Sequence, residues 1–296
     1  LGGTYLSGST WLGKLYKLTI PWAAAGSTYD GVNLNNYVDN PKDATNPWKF
    51  ASLFDATRPV TAPPSLSVDQ FHNTWVYFGT GRYFSDADKS STQTQYLFGI
   101  KDPFDNSTRA GYYHRYDTSA SLTTANLLNA DSYVVLTNGQ VYSGSTLIGD
   151  FNDLMTTARA QDGWMRTLTV PKERILVKPT ALGGVVFVPS FVPNADICGY
   201  GGDSYLYGLF FETGTAYAKA VFDQGTQTVT ISGVGDVIKV MDKKALGVGK
   251  SSSLGIHVGQ EEGATGYIQQ STGTILSVEL NPAFNIKSSL RSWIER

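Results

Sequence analysis

The chain has 296 residues, with 25 acidic and 23 basic side chains, a formal net charge of −2 and only 16% charged residues; ordinary soluble domains carry about 25%. Aromatic residues make up 12% and there are 31 glycines, which excludes intrinsic disorder, and the slightly acidic balance gives no electrostatic ground for binding nucleic acid. No apolar run approaches the roughly 18 residues that span a bilayer, since the longest, from Val185 to Val192, is interrupted by Pro189.

In chain order, short runs of β-branched and aromatic residues between Gly, Pro, Asn and Asp clusters predict strands over 14–20, 74–79, 95–101, 132–137, 174–178, 184–189, 205–211, 216–222, 226–232, 236–241, 254–258 and 274–280. Helical spacing is scarce. It predicts a helix over 152–160, where Leu154, Met155 and Ala158 share a face and Asp150 is placed to cap, and a second short one over 120–128. Residues 23–47 and 102–116 are rich in Asn, Asp, Gly and Pro and lack alternation, so they are expected to be long loops, where binding residues concentrate on β scaffolds. No composition break divides the chain, and one domain over 1–296 is expected.

Many short strands imply a sandwich, a barrel or a propeller. Repetition favours the propeller. Gly13-Lys-Leu-Tyr-Lys-Leu18, Gln95-Tyr-Leu-Phe-Gly-Ile100, Ser204-Tyr-Leu-Tyr-Gly-Leu209 and Gly273-Thr-Ile-Leu-Ser-Val278 share one alternating shape, and three of the four lead into Pro21, Pro103 or Pro282. This pattern resembles the blades of quinoprotein-like β-propellers. Blades take about 40–50 residues, so the unequal spacing of the four implies two blades, or one blade with an insertion, between them.

A search for catalytic motifs is nearly empty. His72, His114 and His257 are far apart and none forms a metal-binding pair. No G-x-S-x-G elbow occurs. Gly249-Lys250-Ser251 mimics the end of a phosphate-binding loop, but Lys244 stands where that motif needs glycine. Gly233 and Gly235 lack the third glycine of a dinucleotide fingerprint. Cys198 is the only cysteine, which excludes an internal disulfide and a cysteine-based zinc site; with no base or oxyanion donor identifiable beside it, it is expected to be a structural thiol. The one metal candidate is oxygen-based: Asp86, Asp88 and Ser90 alternate as in a calcium loop, although the run lacks the glycine and closing glutamate of the usual motif.

Several blocks together resemble the PilY-type adhesins associated with type IV pilus tips. They are Phe78-Gly-Thr-Gly-Arg-Tyr83 followed by Gln93 to Asp102, the preceding Thr57-Arg-Pro-Val-Thr-Ala-Pro-Pro64, then Gly163-Trp164, Glu173-Arg174, Val185-Val-Phe187, Phe191-Val-Pro193, Cys198 and Gly201-Gly-Asp-Ser-Tyr-Leu-Tyr207, and the ending Leu290-Arg-Ser-Trp-Ile-Glu-Arg296. The resemblance implies an all-β, modified quinoprotein-like propeller with short helical insertions. It also implies an exported, non-enzymatic protein at the cell surface or pilus tip of a Gram-negative bacterium, which works with minor pilins in pilus assembly and extension and attaches cells to surfaces. The family's calcium loop would lie ahead of residue 1, so no ligand is carried over, and Asp86, Asp88 and Ser90 stand on spacing alone. The chain is expected to be the C-terminal part of a longer protein. Tyr29, Tyr112, Tyr113 and Tyr116, in the two long loops, are the expected partner contacts, because tyrosine joins apolar area to a hydrogen-bonding tip. Two other functions compete: a quinoprotein-type propeller enzyme, for which no cofactor-ligand set is recognisable, and a carbohydrate-binding propeller that would use exposed tryptophan. Trp22, Trp48, Trp75 and Trp164 sit among apolar neighbours and are expected to fill the core instead.

Overall fold

A computed structural model describes residues 1–19, 42, 48–102, 122–194, 201–223, 225–259 and 263–286. The elements run β1 (Gly2–Ser7), β2 (Thr10–Thr19), β3 (Lys49–Asp55), β4 (Ser65–Val68), β5 (Thr74–Gly79), α1 (Ala87–Ser90), β6 (Tyr96–Asp102), β7 (Leu128–Asn129), β8 (Tyr133–Val135), β9 (Gln140–Ser143), β10 (Thr146–Asp150) and α2 (Phe151–Arg159). They continue with β11 (Gly163–Thr167), β12 (Thr180–Leu182), β13 (Val185–Pro193), β14 (Gly202–Phe210), β15 (Thr226–Ile231), β16 (Gly235–Val240), β17 (Lys243–Val248), β18 (Gly255–Val258), β19 (Ala264–Gln269) and β20 (Ile275–Leu280).

Among the described residues the strands form small sheets ordered β1-β2-β3, β4-β5-β6-β11-β7, β10-β9-β8, β12-β13-β14-β17, β15-β16 and β18-β19-β20. Pairing is antiparallel throughout except between β11 and β7. The all-β expectation therefore holds. None of the described helices is long and apolar enough to cross a membrane.

The helix expected over 152–160 forms one residue earlier. Asp150 caps it, accepting from the backbone N–H groups of Asn152 and Asp153, while Asp153 answers back to the N–H of Asp150. The helix expected over 120–128 is in its described part only a single 3-10 turn, Thr124–Asn126, followed by β7. Two expected strands are also corrected. Residues 174–178 make only one bridge, between Arg174 and Phe191. Residues 216–222 are irregular, although Ala216, Val221 and Phe222 are buried. The apolar side chains of this stretch serve as caps on the sheet rather than as a strand face: Tyr217 stacks on Phe210 at 5.2 Å, and the Phe222 ring covers Gly208, where a Cβ would stand 2.7 Å from Cζ.

The core is aromatic. Trp75, Tyr77 and Trp164 lie stacked in sequence, with centroids 6.4 and 6.2 Å apart. Trp75 and Trp164 are almost wholly buried, as expected of core tryptophans, while Trp22 lies outside the described residues. The indole of Trp164 fits between two glycines: a Cβ on Gly99 would stand 2.7 Å from Cζ2 and closer still to Cε2 and Nε1, and one on Gly214 would stand 2.8 Å from Cγ. Its Nε1–H donates to the carbonyl of Phe211 at 2.8 Å, so the buried polar atom is satisfied. A second core joins β2 and β3 to β5 and β6 through Phe54, Phe78 and Phe98, and a third joins β13 and β14 to β17–β20.

Candidate functional site

The Phe78-Gly-Thr-Gly-Arg-Tyr83 block ends β5 and leads away from it. Its glycines allow a close approach by the segment carrying Arg174 and Ile175. A Cβ on Gly79 would stand 2.6 Å from Ile175 Cγ2, and one on Gly81, at φ +147°, 2.6 Å from Arg174 Cβ. The approach is tied by backbone bonds from Ile175 N–H to the Thr80 carbonyl at 2.9 Å and from Gly81 N–H to the Pro59 carbonyl at 2.8 Å. This crossing places the neighbouring residues Glu173 and Arg174 at the base of two different polar clefts.

The first cleft, about 270 Å³, is lined by Arg166, Tyr205, Tyr207, Lys239, Asp242 and Lys243, among others. Beneath it the buried Glu173 carboxylate accepts from Ser190 Oγ, from Tyr207 Oη at 3.1 Å and from Lys243 Nζ at 2.9 Å. Lys243 also lies over the rings of Tyr205 and Tyr207, 4.1 and 4.8 Å from their centroids. Burial, reinforced by the negative charge of Glu173, pushes the Tyr207 phenol far above its usual range. Arg166 is shared between Asp242 and Asp131. Every charge here has a counter-charge except Lys239, which makes no ion pair among the described residues. The cleft floor is thus a closed network that fixes β11, β13, β14 and β17 against one another; buried polar groups persist when each is satisfied.

The second cleft, about 280 Å³, lies between the β1–β2 hairpin and the β5–β6 connection; Ser9, Thr10, Trp11, Arg82, Asp88, Ser91, Gln93, Gln95 and Arg174 line it. Arg82 stacks over the Trp11 ring, 4.5 Å from its centroid, and pairs with Asp88. The Asp88 carboxylate further accepts from the backbone N–H groups of Phe84 at 2.7 Å and Ser85 at 2.9 Å. Burial alone would raise its pKa, but these two N–H bonds and Arg82 together hold it below the usual carboxylate value. The Arg174 guanidinium donates only to carbonyls, those of Lys172, Arg82, Asp88 and Ser91, and burial holds its pKa below the usual arginine value.

The structure does not bring Asp86, Asp88 and Ser90 to one point. Residues 87–90 form α1, and side chains two apart on a helical turn do not share a face. Asp88 is buried against Arg82, whereas Asp86 has a side chain 94% exposed and pairs with Lys89 at 2.9 Å, and Ser90 Oγ donates to the Ala87 carbonyl at 3.0 Å. No group of three or more His, Cys, Asp or Glu able to hold a metal occurs among the described residues. Tyr29, Tyr112, Tyr113, Tyr116, His114 and Cys198 lie outside the described residues. Sequence reasoning did not single out Trp11, Gln95 or Lys243 as site residues. Arg82 appeared only inside a family-like block, and Arg174 only in such a block and at the start of a predicted strand; the Gly79/Gly81 pair was the one available sign that a distant segment crosses there.

The arrangement of short, mainly antiparallel sheets is similar to that of the C-terminal domain of Pseudomonas aeruginosa PilY1. The crystal structure of that domain superposes with a TM-score of 0.56 at 19% identity, covering 92% of this chain and 57% of that one. Among curated sequences, the type IV pilus biogenesis factor PilY1 of P. aeruginosa strain PAO1 is 32% identical over 186 residues, 60% of this chain, and a PilY1 homolog of Xylella fastidiosa is 26% identical over 268 residues, 84% of this chain. The chain is thus similar to PilY1 proteins, and it spans 16% and 19% of the length of those two relatives. No family model matches it.

Proposed function

We propose that the chain is a non-enzymatic module of a type IV pilus tip protein, which promotes pilus assembly and extension and surface adhesion through protein–protein contacts. The observation that carries this reading is the 32% identity, over 60% of the chain, to a protein named as a type IV pilus biogenesis factor. The proposal includes a single domain over 1–296 arranged as a modified propeller, exported to the surface of a Gram-negative cell and partnered by minor pilins. Propellers suit docking because they hold loops on two faces of a rigid body. Tyr29, Tyr112, Tyr113 and Tyr116 are the proposed contacts. The test is an in-frame deletion of residues 23–47 in the host, scored for surface pili and for attachment, with the purified variant checked for cooperative unfolding. We expect a folded variant with fewer pili or weaker attachment. A folded variant with normal piliation and attachment overturns the role of that segment, and normal piliation after deletion of the whole 296-residue region overturns the assembly reading.

A further inference from the structure

We propose that the cleft between Trp11, Arg82 and Gln95 binds one acidic sugar unit, a hexuronate, by its carboxylate and ring hydroxyls. Three observations on this chain carry the assignment, none of which depends on the pilus reading.

The first is a buried acceptor with nothing to accept. Gln95 lines the cleft and is 6% exposed. Its amide nitrogen donates to Gln93, but its Oε1 is buried without a hydrogen-bond partner. Leaving such a group unpaired costs about 1–3 kcal/mol, a cost that a ligand hydroxyl bonded to it would remove. The second is charge. Two guanidinium groups, Arg82 and Arg174, face the cleft with one carboxylate, Asp88, between them. Arg174 bonds carbonyl dipoles only, so among the described residues the two guanidinium groups share the one carboxylate of Asp88 and a positive charge remains in excess. Among the described residues only Nη2 of Arg82 is engaged, by Asp88; its remaining N–H groups are available to a carboxylate in the forked geometry that arginine favours. The third is lining. Ser9, Thr10, Ser91 and Gln93 line the cleft together with Trp11. Side chains that both donate and accept match vicinal ring hydroxyls, which do the same. The volume of about 280 Å³ is at the lower end for small-molecule sites, which favours one ring over a longer chain.

The test is NMR on the whole chain with glucuronate, galacturonate, glucose and N-acetyl-aspartate amide as probes, reading saturation transfer and the tryptophan indole N–H resonances. Binding of a uronate should move the Trp11 resonance and leave those of Trp75 and Trp164 in place, with glucose weaker. Arg82→Gln should weaken uronate binding about tenfold, the expected effect of losing a hydrogen bond to a charged group. Gln95→Met should weaken it too without lowering the melting temperature, because it removes an unpaired acceptor. No uronate signal in the unmodified chain overturns the proposal, as does equal binding of glucose. Preference for the aspartate amide would assign the cleft to an acidic peptide and also overturn it. Uronate binding that survives both substitutions in folded protein overturns the residue assignment.

Discussion

Replacing Gly99 by alanine tests whether the stacked core of this chain is built around a slot for one indole. Gly99 lies within β6 without a positive φ, so the substitution adds one methyl group and no backbone strain. That methyl would stand 2.7 Å from Trp164 Cζ2 and closer to Cε2 and Nε1, well inside van der Waals contact. The ring has little room to retreat, because it also lies against Gly214, so closely that a Cβ there would stand 2.8 Å from Cγ and nearer still to Cδ2 and Cε3. Overpacking of this kind costs about 1–3 kcal/mol, and displacing Nε1–H from the Phe211 carbonyl, a 2.8 Å bond in the interior, adds about 1–3 kcal/mol. We expect Gly99→Ala to lose about 2–6 kcal/mol, a fall in Tm of roughly 3–10 °C for a domain of this size. Urea unfolding followed by near-ultraviolet circular dichroism measures it. Gly255→Ala, in β18 without a positive φ and with only the Tyr267 carbonyl oxygen within 4 Å of a Cβ, at 3.8 Å, controls for the loss of a glycine. Trp164→Phe should remove the clash, so the double mutant should cost less than the sum of the two single changes, as contacting residues do. A Gly99→Ala chain within about 0.5 kcal/mol of the original, the range typical of innocuous surface substitutions, refutes the slot.

Two further outcomes concern α1 and its surroundings. Asp88 has a folded-state pKa below its unfolded value, so its contribution is fully present above the unfolded value, about 3.9, and is lost as pH falls through the folded value; Asp88→Asn should therefore lower stability clearly at pH 7 and much less at pH 2, and an equal loss at both refutes the charge account. Calcium at Asp86, Asp88 and Ser90 would have to draw Asp88 away from Arg82 and two backbone N–H groups, so we expect Tm in millimolar calcium and in chelator to agree; a rise of a few degrees, the size expected for a ligand far above its Kd, that vanishes in Asp86→Asn would instead establish an ion there.

What the sequence disclosed follows from the range of the forces involved. The strands at 74–79 and 95–101 were visible because β-branched and aromatic residues fill both faces of the central strands β5 and β6. The helix at 151–159 was visible through its cap, a contact spanning three residues. β1, with sequence GGTYLS and mostly exposed, has no apolar face to betray it; its order comes from pairing with β2. Residues 216–222 misled because burial, not extension, selected their apolar side chains. The alternation of Asp86, Asp88 and Ser90 did not disclose that residues 87–90 turn helical, which aims Asp88 at Arg82 and leaves Asp86 to Lys89. The clefts were invisible because their members meet across long separations, as in the bonds from Arg174 to the Arg82 and Asp88 carbonyls, 92 and 86 residues away.

The two clefts share a cause in the turn Val170–Glu173. Glu173 N–H bonds the Val170 carbonyl at 3.0 Å, and Lys172 sits at φ +66°, with Pro171 ahead of it as a type II turn prefers. A lysine in that conformation carries backbone strain of about 1–3 kcal/mol, where glycine would carry none. The strain is offset locally: the Glu173 side chain takes the Val170 N–H, and the Arg174 side chain returns to the Lys172 carbonyl at 3.0 Å. Beyond the turn the chain extends, so Glu173 and Arg174 project to opposite sides, one into a nest of hydroxyl and ammonium donors and the other into a nest of carbonyls. Each nest accepts only its own sign of charge. The order Glu-Arg therefore fixes which side of the crossing each residue takes, and with it the direction in which residues 174–175 lie against Gly79 and Gly81. Exchanging the two residues would place a carboxylate among carbonyls and a guanidinium among donors, and would disrupt both clefts at once while conserving composition and net charge.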